Sequence, residues 1–269
     1  MCIRDSVYAY EEAEKNLKVA LDLLEDTNDE IRTLVLEELA DVCRLVRKFT
    51  EAIQVYQEAI ELWESLPKNN KDQFVSMRVH RKMVEITSEA KWSVDAQTFF
   101  ELSEVGRSSR LSLIKDLAQM ENEPPHKETV RMLGALSMDS WRVQDPPNWM
   151  DAKRYGEMAV ELADLLGDKE LLSNALGVLA TALDGQSTLR DHLAIAQRRL
   201  ELCFQDSQIS DHEKIDAYRG IGQALMYVGK YAEAIPYLDE TTAMAVNVRA
   251  PDQIANAIGI KAQCLFRMD

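Results

Sequence analysis

The stretch from Ile215 to Val246, IDAYRGIGQALMYVGKYAEAIPYLDETTAMAV, decides the fold. Tyr231, Ala234, Leu238 and Thr241 follow one another by steps of three, four and three residues, which keep to one side of a 3.6-residue helix. Tyr218, Ile221, Gly222 and Leu225 make an earlier stripe of the same kind, and Gly229 stands between the two. A small residue lets a neighbouring helix approach while large ones on either side fill the remaining space. The stretch therefore reads as a pair of nested helices.

The large-small-large-small stripe recurs along the chain. Copies are read at Tyr10, Ala13, Leu17, Ala20; at Phe49, Ala52, Tyr56, Ala59; at Ser93, Ala96, Phe100, Ser103; at Trp149, Ala152, Gly156, Ala159; and at Leu193, Ala196, Leu200, Cys203. The small second residues of successive copies stand 39, 44, 56, 44 and 38 residues apart, the range of helical-hairpin arrays. Companion helices are read at Leu36, Leu39, Ala40, Cys43, and close crossings at Leu133-Gly134 and Leu176-Gly177. A single hairpin buries too little to order itself, so the units must stack.

On these residues the chain resembles the tetratricopeptide repeat family, most closely over 215–246 and around Leu36 to Ala59. His80 and Gly156 depart from the pattern, at places usually aromatic and large. The spacing of roughly 40 residues resembles the longer arrays of large bacterial regulatory proteins, such as signalling ATPases, nucleotide cyclases and transcriptional activators. The resemblance implies an all-α fold, a right-handed α-α superhelix or solenoid of antiparallel helix pairs. Residues 7–269 are expected to form a single solenoid, truncated at both ends, with an irregular unit around 104–148. There Gly106 is expected to end one helix and Ser108 or Ser109 to cap a short extra one with Leu111, Ile114, Leu117 and Ala118 on its apolar face. Residues 1–6 continue no pattern and read as a non-native or disordered start.

Composition agrees with a helical chain. It is 46% hydrophobic with 10 Gly and 7 Pro, and most prolines fall between the expected helices. No apolar run suits a membrane span and no signal-peptide layout opens the chain, so a cytoplasmic location is expected. Cys2, Cys43, Cys203 and Cys264 are dispersed and read as small buried hydrophobes. The four histidines lack metal-binding spacing, Gly220-Ile-Gly222 lacks the context of a dinucleotide loop, and no phosphate loop or calcium loop appears. No enzyme activity, cofactor or metal is expected.

The resemblance further implies that the first helices of the pairs line a concave groove that holds a peptide or protein segment. Carried onto this chain, the groove places are Leu34, Glu37, Asp41 and Arg44, then Arg78, Arg81, Glu85 and Glu89, then Asp216, Arg219, Gln223, Met226 and Tyr227, and finally Asn256, Gln263, Phe266 and Arg267. Arg78 and Arg81, one turn apart, suit a carboxylate, although Glu85 is also placed to pair with Arg81. Net charge is −15, from 46 acidic and 31 basic residues, which favours basic or neutral partners and disfavours nucleic acid. The reading is thus a non-catalytic interaction scaffold. The alternatives are the sensory or regulatory arm of a larger signalling ATPase, cyclase or activator, with its groove facing domains outside this chain, and, third, a helical-repeat RNA binder.

Overall fold

The computed structural model describes residues 3–24, 29–67, 72–120, 123–184 and 189–269. Among them are twelve helices and no strand. The chain divides into two compact units at Glu123 and Pro124, within the stretch 104–148 that the sequence sets apart. Cys2 lies outside the described residues, and α1 is helical from Ile3.

The first unit contains α1 (Ile3–Leu23), α2 (Asp29–Leu45), α3 (Phe49–Ser65), α4 (Gln73–Ala90) and α5 (Ala96–Gln119). Helix α2 packs on α3 and α4 on α5, while α1 lies against α2 and α3 against α4. The second unit contains α6 (Lys127–Arg142), α7 (Trp149–Leu166), α8 (Lys169–Asp184), α9 (Leu189–Gln205), α10 (Asp211–Tyr227), α11 (Tyr231–Val248) and α12 (Pro251–Met268). Here α6–α7, α8–α9 and α10–α11 are the hairpins, and the first helices α6, α8, α10 and α12 stand side by side. Each unit is thus a stack of helix pairs of the tetratricopeptide kind.

The stripes explain the stacking. Ala52 and Ala234 are fully buried, as are Tyr56, Ala59, Leu238 and Thr241 around them. A Cβ on Gly222 of α10 would stand 2.8 Å from Leu238 of α11, so the missing side chain is what lets Leu238 enter. Gly156 serves a different crossing: its Cβ would stand 3.2 Å from the Leu179 backbone on α8, the first helix of the following pair. The place usually large in the repeat is small here because a backbone occupies the space.

Repeated turns close the hairpins. Lys230 donates to the Leu225 carbonyl and Gly229 to that of Met226, the paired bonds that end a helix on a left-handed residue. Lys48 and Arg47 make the same bonds to Cys43 and Arg44, with Arg47 at φ 62°. Ala250 and Arg249 repeat them after α11, with Arg249 at φ 60°.

The third stripe sits in a different register from the one read in the sequence. Ala96 and Ser93 are exposed and Phe100 is 61% exposed, whereas Leu102, Gly106, Ser109 and Leu113 are buried. The side chain of Asp95 caps α5 through the amides of Gln97 and Thr98, so the helix starts a turn ahead of its crossing and Leu102 takes the place given to Ala96. Leu102 lies midway between Ala52 and Ala152, so the long interval is shared between two units. Gly106 does not end a helix either. It is buried inside the continuous α5, where a Cβ would meet Thr87 Cγ2 of α4 at 2.4 Å. No extra short helix forms, and Leu111 and Ile114 are exposed.

Candidate binding surfaces on the first helices

In the first unit the candidate residues face one another across α2 and α4. Glu37, Asp41 and Arg44 recur on one side of α2, and Arg78, Arg81, Lys82, Glu85 and Glu89 on the opposing side of α4. Arg78 donates from Nε and Nη2 to the two oxygens of Glu37, at 2.6 and 2.7 Å. Lys82 adds a bond to Glu37 at 2.7 Å and another to Asp41, which also accepts from the buried Tyr56 hydroxyl. Arg44 donates to Glu85 at 2.8 Å and to Glu89, and Arg81 donates to Glu85. Arg78 and Arg81 are both engaged with carboxylates of the chain itself.

Electrostatics follow from this pairing. Burial alone would raise Glu37, yet the bonds from Arg78 and Lys82 outweigh it and hold its carboxyl below the usual range. Glu85 is likewise pushed up by burial but held down by Arg81 and Arg44. Four cations face four anions here, so the surface of this unit is a neutral lattice with Leu34 exposed at its edge.

The second unit carries a more open row. Asp216 accepts from Arg219, which also donates to Gln253 and Gln223, and Gln223 donates to the Tyr227 hydroxyl at 2.7 Å. Tyr227 meets the edge of His192 with ring centroids 5.8 Å apart. Asn256, Gln263 and Phe266 project from α12 and are exposed. Met226 instead packs against the core.

The residue that sequence reading missed is Arg199. It belongs to a second helix, α9, yet is only 5% exposed. Its Nε and Nη2 donate to Glu213 at 3.0 and 2.6 Å, and Nη2 also reaches Asp216 at 2.8 Å. Glu213 further accepts from Ser173 and Asn174. Burial pushes the Glu213 carboxyl up against the opposing pull of Arg199 and Ser173, whereas Asp216, with a more exposed side chain, is drawn far down by Arg199 and Arg219. The guanidinium reaches this place because residue 177 is glycine: a Cβ there would stand 2.5 Å from Nη1, whereas one on Gly220 would make ordinary contact at 3.7 Å. A cavity of about 60 Å³ opens beside it, bounded by α8, α9 and α10. A signal existed in the sequence, since His192, Ala196, Arg199 and Cys203 follow by helical steps, but the stripe read there was Leu193, Ala196, Leu200 and Cys203, which passes over Arg199.

Other groupings offer little chemistry. Glu14, Cys43 and Glu51 bring ligand atoms within 4.8 Å of one another, but Glu14 already holds Lys18 at 2.6 Å and Lys48 at 2.8 Å. Burial raises the Cys43 thiol, which disfavours a metal-binding thiolate. Among the described residues no helix is long and apolar enough to cross a membrane. Cys43, Cys203 and Cys264 are buried free thiols.

No family model and no curated protein matches the chain. Solved structures do. The chain is similar to a Rap protein complexed with competence and sporulation factor, with TM-score 0.69 and 12% identity over 92% of this chain and 66% of that one. It is similar to a signal transduction ATPase with numerous domains and a tetratricopeptide repeat sensor from Pyrococcus horikoshii, with TM-score 0.62 and 12% identity. That likeness covers 86% of this chain and 32% of the ATPase, so the chain spans about a third of that protein's length. BtubC from P. vanneervenii is similar over 93% of both chains, with TM-score 0.62 and 12% identity. At these identities the likeness shows the fold: helix pairs of the tetratricopeptide repeat kind.

Proposed function

We propose that the chain is a non-catalytic, cytoplasmic interaction module that takes a peptide or protein segment along its first-helix surfaces, chiefly the row on α10. The observation that carries this reading is the contrast between the two units. On α2 and α4 the charged groups neutralise one another, whereas the row from Arg219 to Tyr227 runs beside a cavity with a donor facing it. A row of half-buried guanidinium and amide groups ending on the exposed Tyr227 suits the alternating donors and acceptors of an extended backbone. The complex of the similar Rap protein with competence and sporulation factor supports a binding role. Net charge −15 favours a basic or neutral segment.

Selection of a random peptide display library on the immobilised chain tests the proposal. Sequences enriched on the native chain and lost on Arg219→Ala and Tyr227→Ala, but kept on Glu89→Ala, are expected. Equal retention on all three variants would remove α10 from the binding surface. A second reading, the sensory arm of a larger switch, is favoured by the coverage of the Pyrococcus ATPase with its repeat sensor. Recovery of the full-length coding sequence tests it, and a gene encoding repeats alone would count against it.

A further inference from the structure

Arg199 has one end of its guanidinium unused. Nε and Nη2 are taken by Glu213 and Asp216, with Ser173 at 3.3 Å from Nε, while Nη1 has no acceptor among the described residues. Nη1 stands between Gly177 and Gly220, and both glycines line the cavity of about 60 Å³. Arg199 lines the cavity, so an acceptor seated there can reach Nη1. A single water needs roughly 10–15 Å³ of such space, so the cavity has room for a side-chain end of a few atoms.

The charges around the cavity select the guest. Arg199, Arg219 and Asp216 line the cavity, and Glu213, which holds Arg199 from outside the lining, completes a balanced network of two cations and two anions around it. A carboxylate entering it would leave one uncompensated buried anion, and an ammonium would meet the hydrogens of Nη1. A neutral acceptor avoids both penalties. Thr181 also lines the cavity; its hydroxyl donates to the Gly177 carbonyl at 3.0 Å, which leaves its lone pairs to accept from a guest. One wall therefore offers a donor and the other an acceptor.

We propose that this cavity is an anchor pocket for one neutral carboxamide, the side chain of an asparagine or glutamine in a bound partner segment. The amide oxygen accepts from Arg199 Nη1 and the amide nitrogen donates to Thr181 Oγ1. The inference rests on the segment-binding reading above for its partner, but the pocket itself is testable with small probes.

The experiment titrates acetamide and, separately, acetate into the ¹⁵N-labelled chain at pH 8. The readouts are the Arg199 Nε–Hε resonance and the Thr181 backbone amide. Saturable shifts with acetamide, at least tenfold weaker in Thr181→Val and in Gly177→Ala and absent with acetate, are expected. Acetate matching acetamide, or neither probe shifting these resonances, overturns the proposal. Circular dichroism checks Gly177→Ala for folding; Thr181→Val preserves side-chain shape and decides the matter if the alanine variant unfolds. Acetamide binding with no peptide selected by the chain would keep the pocket and remove the segment-binding reading. Selected peptides lacking Asn and Gln and indifferent to Thr181→Val would do the reverse.

Discussion

Arg78 grips Glu37 with two nitrogens, at 2.6 and 2.7 Å, and so ties α4 to α2 through a carboxylate that is only 4% exposed. The two partners are unequal. Glu37 holds two cations, Arg78 and Lys82, whereas the Arg78 side chain keeps partial access to water. Removing the carboxylate breaks the two-nitrogen grip of Arg78 and one of the two ion pairs of Lys82, so Glu37→Ala is expected to cost about 3 kcal/mol. Arg78→Ala leaves Lys82 on Glu37 and is expected to cost about 1–2 kcal/mol. Urea denaturation of both single variants and the double variant measures the coupling; strict additivity would show that the pair contributes nothing.

The same carboxylate gives the first unit an acid sensitivity. Glu37 and Glu85 are held below the ordinary glutamate value of 4.5 in the folded chain. A folded carboxyl that binds its proton less readily than the unfolded one contributes stability above the unfolded pKa, and that contribution is lost as pH falls through the folded value. The native chain is therefore expected to lose stability below about pH 4.5, and Glu37→Gln, which is weaker at neutral pH, to lose less over the same acid range. Chemical denaturation midpoints at pH 7, 5, 4 and 3 check this. Parallel curves for the two proteins would contradict it.

What was legible in the sequence follows from where the physics is local. Phe49, Ala52, Tyr56 and Ala59 announce a stripe because helix periodicity depends only on spacing, and all four are buried. The turn residue Gly229 was legible for the same reason, since a left-handed position favours glycine. The register of α5 was not, because Asp95 starts that helix a turn early and Phe100 then resembles a core residue while facing water. Glycines 134 and 177 look alike next to their leucines, yet a Cβ on Gly134 would meet only Val178 at 3.8 Å, while one on Gly177 would collide with Arg199. What a glycine makes room for depends on the helix packed against it, and sequence spacing does not contain that. The pairing of Arg78 with Glu37 was equally hidden, since the two lie 41 residues apart and meet only because α2 and α4 both pack on α3.

Gly106 offers a direct test of the revised register. An alanine in a helix interior gains about 1 kcal/mol over glycine from propensity alone. At this position its Cβ would stand 2.4 Å from Thr87 Cγ2, and Thr87 is fully buried with its hydroxyl bound to the Val84 carbonyl at 2.7 Å. The collision should win. Gly106→Ala is expected to destabilise by about 1–3 kcal/mol, as overpacked cores do. Adding Thr87→Ser removes the offending methyl and keeps the hydroxyl bond, so the double variant should recover most of the loss in thermal denaturation. Stabilisation by Gly106→Ala alone would mean that α4 and α5 do not cross there.

The three matching turns predict a gain. Gly229 takes the left-handed position without strain, whereas Arg47 and Arg249 hold the same conformation with a Cβ close to the following carbonyl, at a cost of roughly 1–2 kcal/mol each. Replacement by glycine removes that strain but loosens the unfolded chain by about 0.5–1 kcal/mol. The balance favours the folded state, and the two sites differ in what else is lost. Arg47 also donates to Ser93 at 3.1 Å, an exposed bond that glycine forfeits. Arg249→Gly is therefore expected to stabilise by about 0.5–1 kcal/mol and Arg47→Gly by less. Calorimetric melting of the two variants checks the order, and a lower melting temperature for Arg249→Gly would show that its turn is not closed as described.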